Sequence, residues 1–425
     1  MDAGMNSPTG IDSLNQMPGW QKRAAVFLTG QTISTFGTFL VQYAIMWHLT
    51  LTTKSGVVLA LAAIFGFLPQ AVVSIFAGVW ADRLNRKLII IVADSVTALA
   101  TLVLAMMMLS GLDDLWIIFA VMTVRSIGSG FQMPAISALL PQIVPMDKLM
   151  RVNGINSSIQ STLTLLAPVA AAGLYATMSL TAIFFVDVVT AIIGLSLLAT
   201  IPVPTVSKAL GAEKTSYLSD LKEGLQYIFS HDLVRWVMIV FGLVFLLIVA
   251  PSNLSPLLIV RNFGSEVWML TVLELAFGVG MVLGGVLMAT LGSNSNRIQM
   301  IIGSSILFGV LAVGLGFTTD LIVFYALFFV VGLAVPAFST SAMTLLQETV
   351  EPERQGRVFG FVGIVMAVAM PLGMVILGPL ADVVSVEIIL IVTGALTVLI
   401  AILAIAFPAG QRAAALAHTG TERRS

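Results

Sequence analysis

Four ionisable side chains stand inside long apolar runs of this chain: Asp94, Arg125, Asp187 and Glu274. Charge in hydrocarbon is expensive, and it persists where it pairs, meets water or carries function. A carboxylate in such a place is suited to taking up and releasing a proton, which makes Glu274 and Asp187 candidate proton carriers. Asp187 has a second reading, as the fixed partner of Arg125, and Asp94 is the other acid that Arg125 could hold. Asp94 itself reads as a structural anchor. Glu274, in LTVLELAFGVGMVLGG, has no base in its own run, so a functional role is the stronger expectation there.

A second concentration of charge is GVWADRLNRK, residues 78–87. Three bases beside the end of an apolar run are what a membrane protein places on its cytoplasmic side. Asp82 is different. It falls at the C-terminal end of a helix, where the macrodipole disfavours an anion, so it needs a partner. Candidates are Arg83 or Arg86 nearby, or the start of the eleventh span around Gly356 and Arg357.

The elements that must position these groups follow from composition. Of 425 residues, 58% are hydrophobic and 10% charged, with mean hydropathy +1.04, against about 25% charged in soluble domains. Uncharged or nearly uncharged stretches of about 20 residues span a bilayer as helices, and they recur from residue 24 to 407. The short alternating segments of a membrane barrel are absent from the sequence. Spans are expected at 24–46, 56–80, 88–110, 115–138, 155–177, 179–201, 234–258, 267–291, 298–317, 321–344, 356–380 and 385–407. The polar start, residues 1–19, leads directly into a full span, so a retained N-terminus is expected rather than a cleaved signal. The one long polar connection, 202–233, divides the chain into six plus six: 1–201, a linker, and 234–425.

Basic residues set orientation. With the N-terminus inside, all of the 20 Lys and Arg lie on the cytoplasmic side except Lys54 and Arg261 in outer loops and Arg125 in a span. Outer loops carry acids instead, among them Asp320, Asp382 and Glu387. At about 1.5 Å per residue, Arg125, Asp187 and Glu274 sit roughly 12–15 Å below the outer surface, with Asp94 nearer the inner one.

The halves also resemble each other, as parallel six-helix repeats of transporters do. GSGFQMPAISALLPQIVPMDKLMRVNG (128–154) aligns with GLAVPAFSTSAMTLLQETVEPERQGRVFG (332–360), matching Pro134-Ala135 with Pro336-Ala337 and Arg151-Val152-x-Gly154 with Arg357-Val358-x-Gly360. With twelve spans, this repeat and the turn at 78–87, the whole chain resembles the major facilitator superfamily. Its signature there is Gly-x-x-x-Asp-Arg-x-Gly-Arg-Lys, matched by Gly78, Asp82, Arg83, Arg86 and Lys87. Asn85 replaces the usual Gly, a residue that tolerates the left-handed conformation.

The resemblance implies an all-α fold of two six-helix bundles, with both termini cytoplasmic and Asp82 latching the start of span eleven. It implicates Arg125, in RSIGSG, in proton coupling. LAPVAAAG (166–173) resembles the antiporter motif through Pro168 and Gly173, with alanines at 167, 171 and 172 where glycines are commoner. An ordinary proline-kinked membrane helix is the other reading. TGQTISTFGTFLVQYAIMWHLT (29–50) resembles the macrolide-efflux branch, and siderophore exporters begin similarly.

A substrate cavity in this family is lined by spans one, four, seven and ten. That assigns Gln31, Thr32, Ser34, Gln42 and Tyr43 in span one, Ser252 and Asn253 in span seven, and Ser339, Thr340 and Ser341 in span ten. Interhelical hydrogen bonding accounts equally well for each.

There is no cysteine, which removes thiol chemistry and disulfides. There is no phosphate-binding loop, and His48, His231 and His418 lack metal-ligand spacing. No cofactor or metal is expected. The expected protein is not an enzyme but a proton-coupled exporter of amphipathic small molecules in the bacterial cytoplasmic membrane, working by alternating access. It is read as a monomer with substrate, protons and lipids as partners and no nucleic acid. An exporter of an endogenous metabolite such as a siderophore, or a non-transporting scaffold or receptor, are the alternatives.

Overall fold

The computed structural model describes residues 19–203, 217–291 and 296–406, and it is helical throughout. The helices are α1 Trp20–Thr53, α2 Gly56–Arg83, α3 Arg86–Leu109, α4 Leu115–Ile143, α5 Met146–Thr177, α6 Leu180–Ala199, α7 Tyr217–Ser230, α8 Asp232–Leu247, α9 Val249–Asn262, α10 Val267–Leu291, α11 Arg297–Phe317, α12 Leu321–Thr349, α13 Pro352–Val383 and α14 Val386–Ala406. Among the described residues, twelve segments are long and apolar enough to cross a membrane, with α8 and α9 forming one of them across Asp232–Asn262. Pro251, just after their junction at Ile248, has no N–H to continue the ladder, which accounts for the break.

Helix starts follow the local chemistry of the sequence. Asn85, Asp114, Ser179, Asn296 and Asp320 accept from the first free amides of α3, α4, α6, α11 and α12. Asn85 does so in an extended conformation, φ −68°, so it replaces glycine by capping a helix and not by adopting a left-handed turn. The linker, expected to be simply polar, contains α7, whose Tyr227 and Ile228 are buried. Residues 204–216 lie outside the described part.

The helices sort into two compact units, residues 1–45 with 65–210 and residues 46–64 with 211–425. In the first, α3 packs on α4 and α6, and apolar residues of α1, α3, α4 and α6, including Phe27, Ile90, Leu139 and Leu198, form a dry cluster. In the second, α11 packs on α12 and α14 in the same way. Such pairs approach closely through small residues, as membrane helices do. Side chains such as Leu99, Ile192, Val392 and Ile402 are largely exposed. In water this much apolar surface would drive association; in a bilayer it is the solvent-facing surface.

Candidate functional site

In the first unit α4 carries Arg125 into the helix bundle, where the residue is 6% exposed. Its Nη1 donates to Asp187 Oδ2 of α6 at 2.6 Å and to Thr101 Oγ1 of α3, while Nη2 donates to the Thr38 carbonyl of α1 at 3.3 Å. Thr101 Oγ1 lies 3.1 Å from Asp187 Oδ2 and 3.0 Å from the Thr97 carbonyl. Asp187 is 2% exposed. Four helices thus meet on one buried ion pair. Of the two acids weighed as partners for Arg125, the structure selects Asp187. Gly37 makes room for it, because a Cβ there would stand 3.0 Å from Asp187 Oδ1 and 3.1 Å from Thr190 Cβ.

Asp94 lies two turns along α3 from Thr101. Its Oδ1 accepts from Gln132 Nε2 of α4. Glu274 of α10, in the second unit, is half-buried and makes no hydrogen bond or ion pair with any described residue. Of the in-span carboxylates it alone has no such partner among the described residues.

In the turn at 78–87, the side chains of Gly78, Asp82 and Arg83 lie outside the described part of the structure. Arg86 Nη1 donates to the Ala138 carbonyl at 3.0 Å, and Lys87 Nζ donates to the carbonyls of Ala199 and Ile201, each at 2.8 Å. Lys87 thereby satisfies carbonyls at the C-terminal end of α6, where a cation is favoured. Arg357 pairs with Glu223 of α7 at 2.7 Å. Arg354 lies over the Tyr227 ring at 4.9 Å.

Among the cavity candidates, Gln31 is buried with Oε1 lacking a partner, and Gln42 Nε2 is likewise enclosed and unpartnered. Tyr43 is half-buried. Thr32, Asn253 and Ser339 donate to carbonyls of their own helices at 2.6, 3.2 and 3.0 Å. Ser341 is buried without a partner, whereas Ser252 and Thr340 are exposed. In α5, Pro168 is buried and Gly173 faces open space.

Reading the sequence did not single out the serines and threonines in the middle of α5. Ser157, Ser158, Ser161, Thr162 and Thr164 lie there in a span, the first three and Thr164 being exposed and Thr162 likewise. A groove of about 530 Å³ runs past Ser158 and Thr162 to Arg151 and Thr32. It adjoins one of about 720 Å³ reaching Trp20 and Lys148. The signal was present in NSSIQSTLT (156–164), a run of small polar residues inside a span.

A further cluster fixes the turn between α1 and α2. Asp382, in the last turn of α13, accepts from Gly56 N at 2.6 Å, Val57 N at 2.9 Å, Ser55 Oγ at 2.7 Å and Arg261 Nη2 at 2.7 Å. Arg261 also donates to the carbonyls of Lys54 and Ala381, at 2.7 and 2.6 Å. Lys54 is the one described non-glycine residue at positive φ, 49°. Arg261, one of the two bases expected in outer loops, is therefore answered by a partner.

The family model for transmembrane secretion effectors matches residues 18–420. The chain is 31% identical over 386 residues to macrolide efflux protein A of Streptococcus pyogenes, covering 90% of this chain and 95% of the relative. It is 25% identical over 403 residues to the MFS-type transporter YfiS of Bacillus subtilis, covering 90% and 92%. Among solved structures, a POT family transporter in complex with 5-aminolevulinic acid superposes with TM-score 0.71 at 12% identity, covering 94% of this chain and 99% of that one. An inward-facing bacterial homolog of the human lysosomal transporter Spinster gives TM-score 0.67 at 15% identity, covering 95% and 97%. At these identities the structures speak for the fold.

Proposed function

Because the chain belongs to the transmembrane secretion effector family of MFS-type transporters, we propose that it exports amphipathic, macrolide-like small molecules in exchange for protons. It is an efflux transporter and a multi-pass cell-membrane protein, not an enzyme. In our reading both termini are cytoplasmic, the protein works as a monomer without nucleic acid, and residues 202–233 link two six-helix bundles. Gly78, Asp82, Arg83, Arg86 and Lys87 form the inner latch.

Glu274 carries the proton-coupling reading. An acid in a membrane helix without a counter-ion is poised to alternate between charged and neutral forms as the protein changes shape. Asp187, in contrast, is held by Arg125 and Thr101, so in this reading the pair transmits protonation rather than storing it. Gln31, Gln42 and Tyr43 in the first unit and Asn253 and Ser339 in the second supply polar groups toward substrate. Pro168 and Gly173 shape the α5 segment.

Purified protein in proteoliposomes tests this. Substrate added against a proton gradient should release protons through the wild type, and Glu274→Gln should abolish that flux while substrate still binds. Unchanged coupling in Glu274→Gln would remove Glu274 from the mechanism. Accumulation in vesicles that persists with an uncoupler would remove the proton.

A further inference from the structure

Two polar rungs cross the first unit. Asp94 and Thr101 are seven residues apart on α3, and Arg125 and Gln132 are seven apart on α4, which places both pairs on the same helix faces about 10 Å apart. Between the rungs Gly128 presses α4 against Thr97 and the Ala93 carbonyl of α3. One rung is the Arg125, Asp187 and Thr101 cluster, fully paired. The other is Asp94 with Gln132, and it is not.

Asp94 is 6% exposed. Gln132 donates to its Oδ1, and Ser34 of α1 approaches the same carboxyl. Oδ2 is enclosed and has no hydrogen-bond partner of normal geometry. Among the described residues, the helices packed around Asp94 offer no free cation. On α4 and α6 the charged groups are Arg125 and Asp187, bound to each other. On α3 itself Arg86 and Lys87 donate to carbonyls near the helix start, and the bases of α1, Lys22 and Arg23, lie about three turns from Ser34. An anion at Asp94 would have only the Gln132 amide and the nearby Ser34 hydroxyl to answer it and would leave Oδ2 without a well-placed donor, one of the costlier arrangements in an interior. A proton on Oδ2 removes that charge and supplies a donor. Ser34 Oγ can accept it, and Gln31 Oε1, one turn away on α1, is a buried acceptor that lacks one.

We propose that Asp94 is a proton-binding site of the first unit, separate from Glu274 in the second, with Gln132 as its positioning residue. Loading forms the Oδ2–H bond as hydronium gives up its proton and leaves water; unloading reverses the step. Gln132 keeps Oδ1 engaged, so the proton always arrives at Oδ2. The link to transport rests on the proton-coupled efflux reading above, whereas the proton site itself does not.

Infrared difference spectroscopy of the lipid-reconstituted protein, titrated with pH in H2O and D2O, tests the site directly. The wild type should show a protonated-carboxyl band that shifts on deuteration. The band should vanish in Asp94→Asn, which keeps a side chain for Gln132 to bond, and persist in Glu274→Gln. Gln132→Leu should move its frequency and midpoint. A band set unchanged by Asp94→Asn would overturn the proposal. In parallel, proton release during substrate efflux should be lost in Asp94→Asn. If wild-type efflux proves uncoupled while the Asp94 band is present, the coupling reading fails and the site stands. A coupled wild type with no Asp94 band overturns the site and leaves the coupling reading standing.

Discussion

A guanidinium buried in a membrane helix must have its charge answered on the spot, and Arg125 spends its donors on Asp187, Thr101 and the Thr38 carbonyl. Removing one member of a buried pair strands the other, at about 3–5 kcal/mol, whereas replacing both with apolar groups of similar size is often neutral or stabilising. Asp187→Asn should therefore lower the unfolding temperature in detergent, and Arg125→Met with Asp187→Leu should recover it while transport stays lost. A double variant as unstable as the single one would show that the pair is not a closed unit. The depth shared by Arg125 and Asp187 was legible from residue counting along the spans. Asp94 was legible as a buried charge but not as half of a pair, because its partner Gln132 is a neutral amide with no charge signal in the sequence.

At the scale of elements, the helices and their caps follow from hydropathy and end chemistry, since a bilayer leaves the backbone no other way to satisfy its amides. Which glycines are packing surfaces does not follow. On α11, Gly309 sits against α14, where an added Cβ would stand 2.5 Å from the Gly394 carbonyl and 2.6 Å from Val398 Cγ2, whereas Gly303 on the same helix meets nothing within 4 Å. Sequence treats the two alike. Gly309→Ala should push α11 from α14 and cost about 1–3 kcal/mol, as overpacking does. Gly303→Ala should be neutral or stabilise by up to about 1 kcal/mol through helix propensity. Thermal unfolding of the two variants side by side decides it, and equal stabilities would refute the packing asymmetry. The polar face of α5 does not stand out in the sequence, because its serines and threonines are uncharged and the motif LAPVAAAG lies in the other half of the helix.

For the whole molecule, the residues that join distant parts of the chain are the ones that local reading treats as exceptions. Arg261 broke the basic-residue pattern, and Asp382 was one of several outer acids. Together they hold the start of α2 through the amides of Gly56 and Val57. An anion is favoured at that helix start and disfavoured at the end of its own helix, so Asp382 gains at α2 what it lacks on α13. Charge-assisted hydrogen bonds contribute about 1.5–3 kcal/mol. Asp382→Asn should accordingly speed hydrogen exchange in the first turn of α2 without altering α4, measured peptide by peptide. Unchanged exchange would show that another contact secures the turn. The clasp also has a consequence for how the protein is made. Ser55 leaves the ribosome 327 residues before Asp382, a delay of about 15–65 s at 5–20 residues per second. Throughout that interval the first amides of α2 have no carboxylate. Biogenesis must shield a bare helix start at the membrane until the eleventh span arrives to cap it.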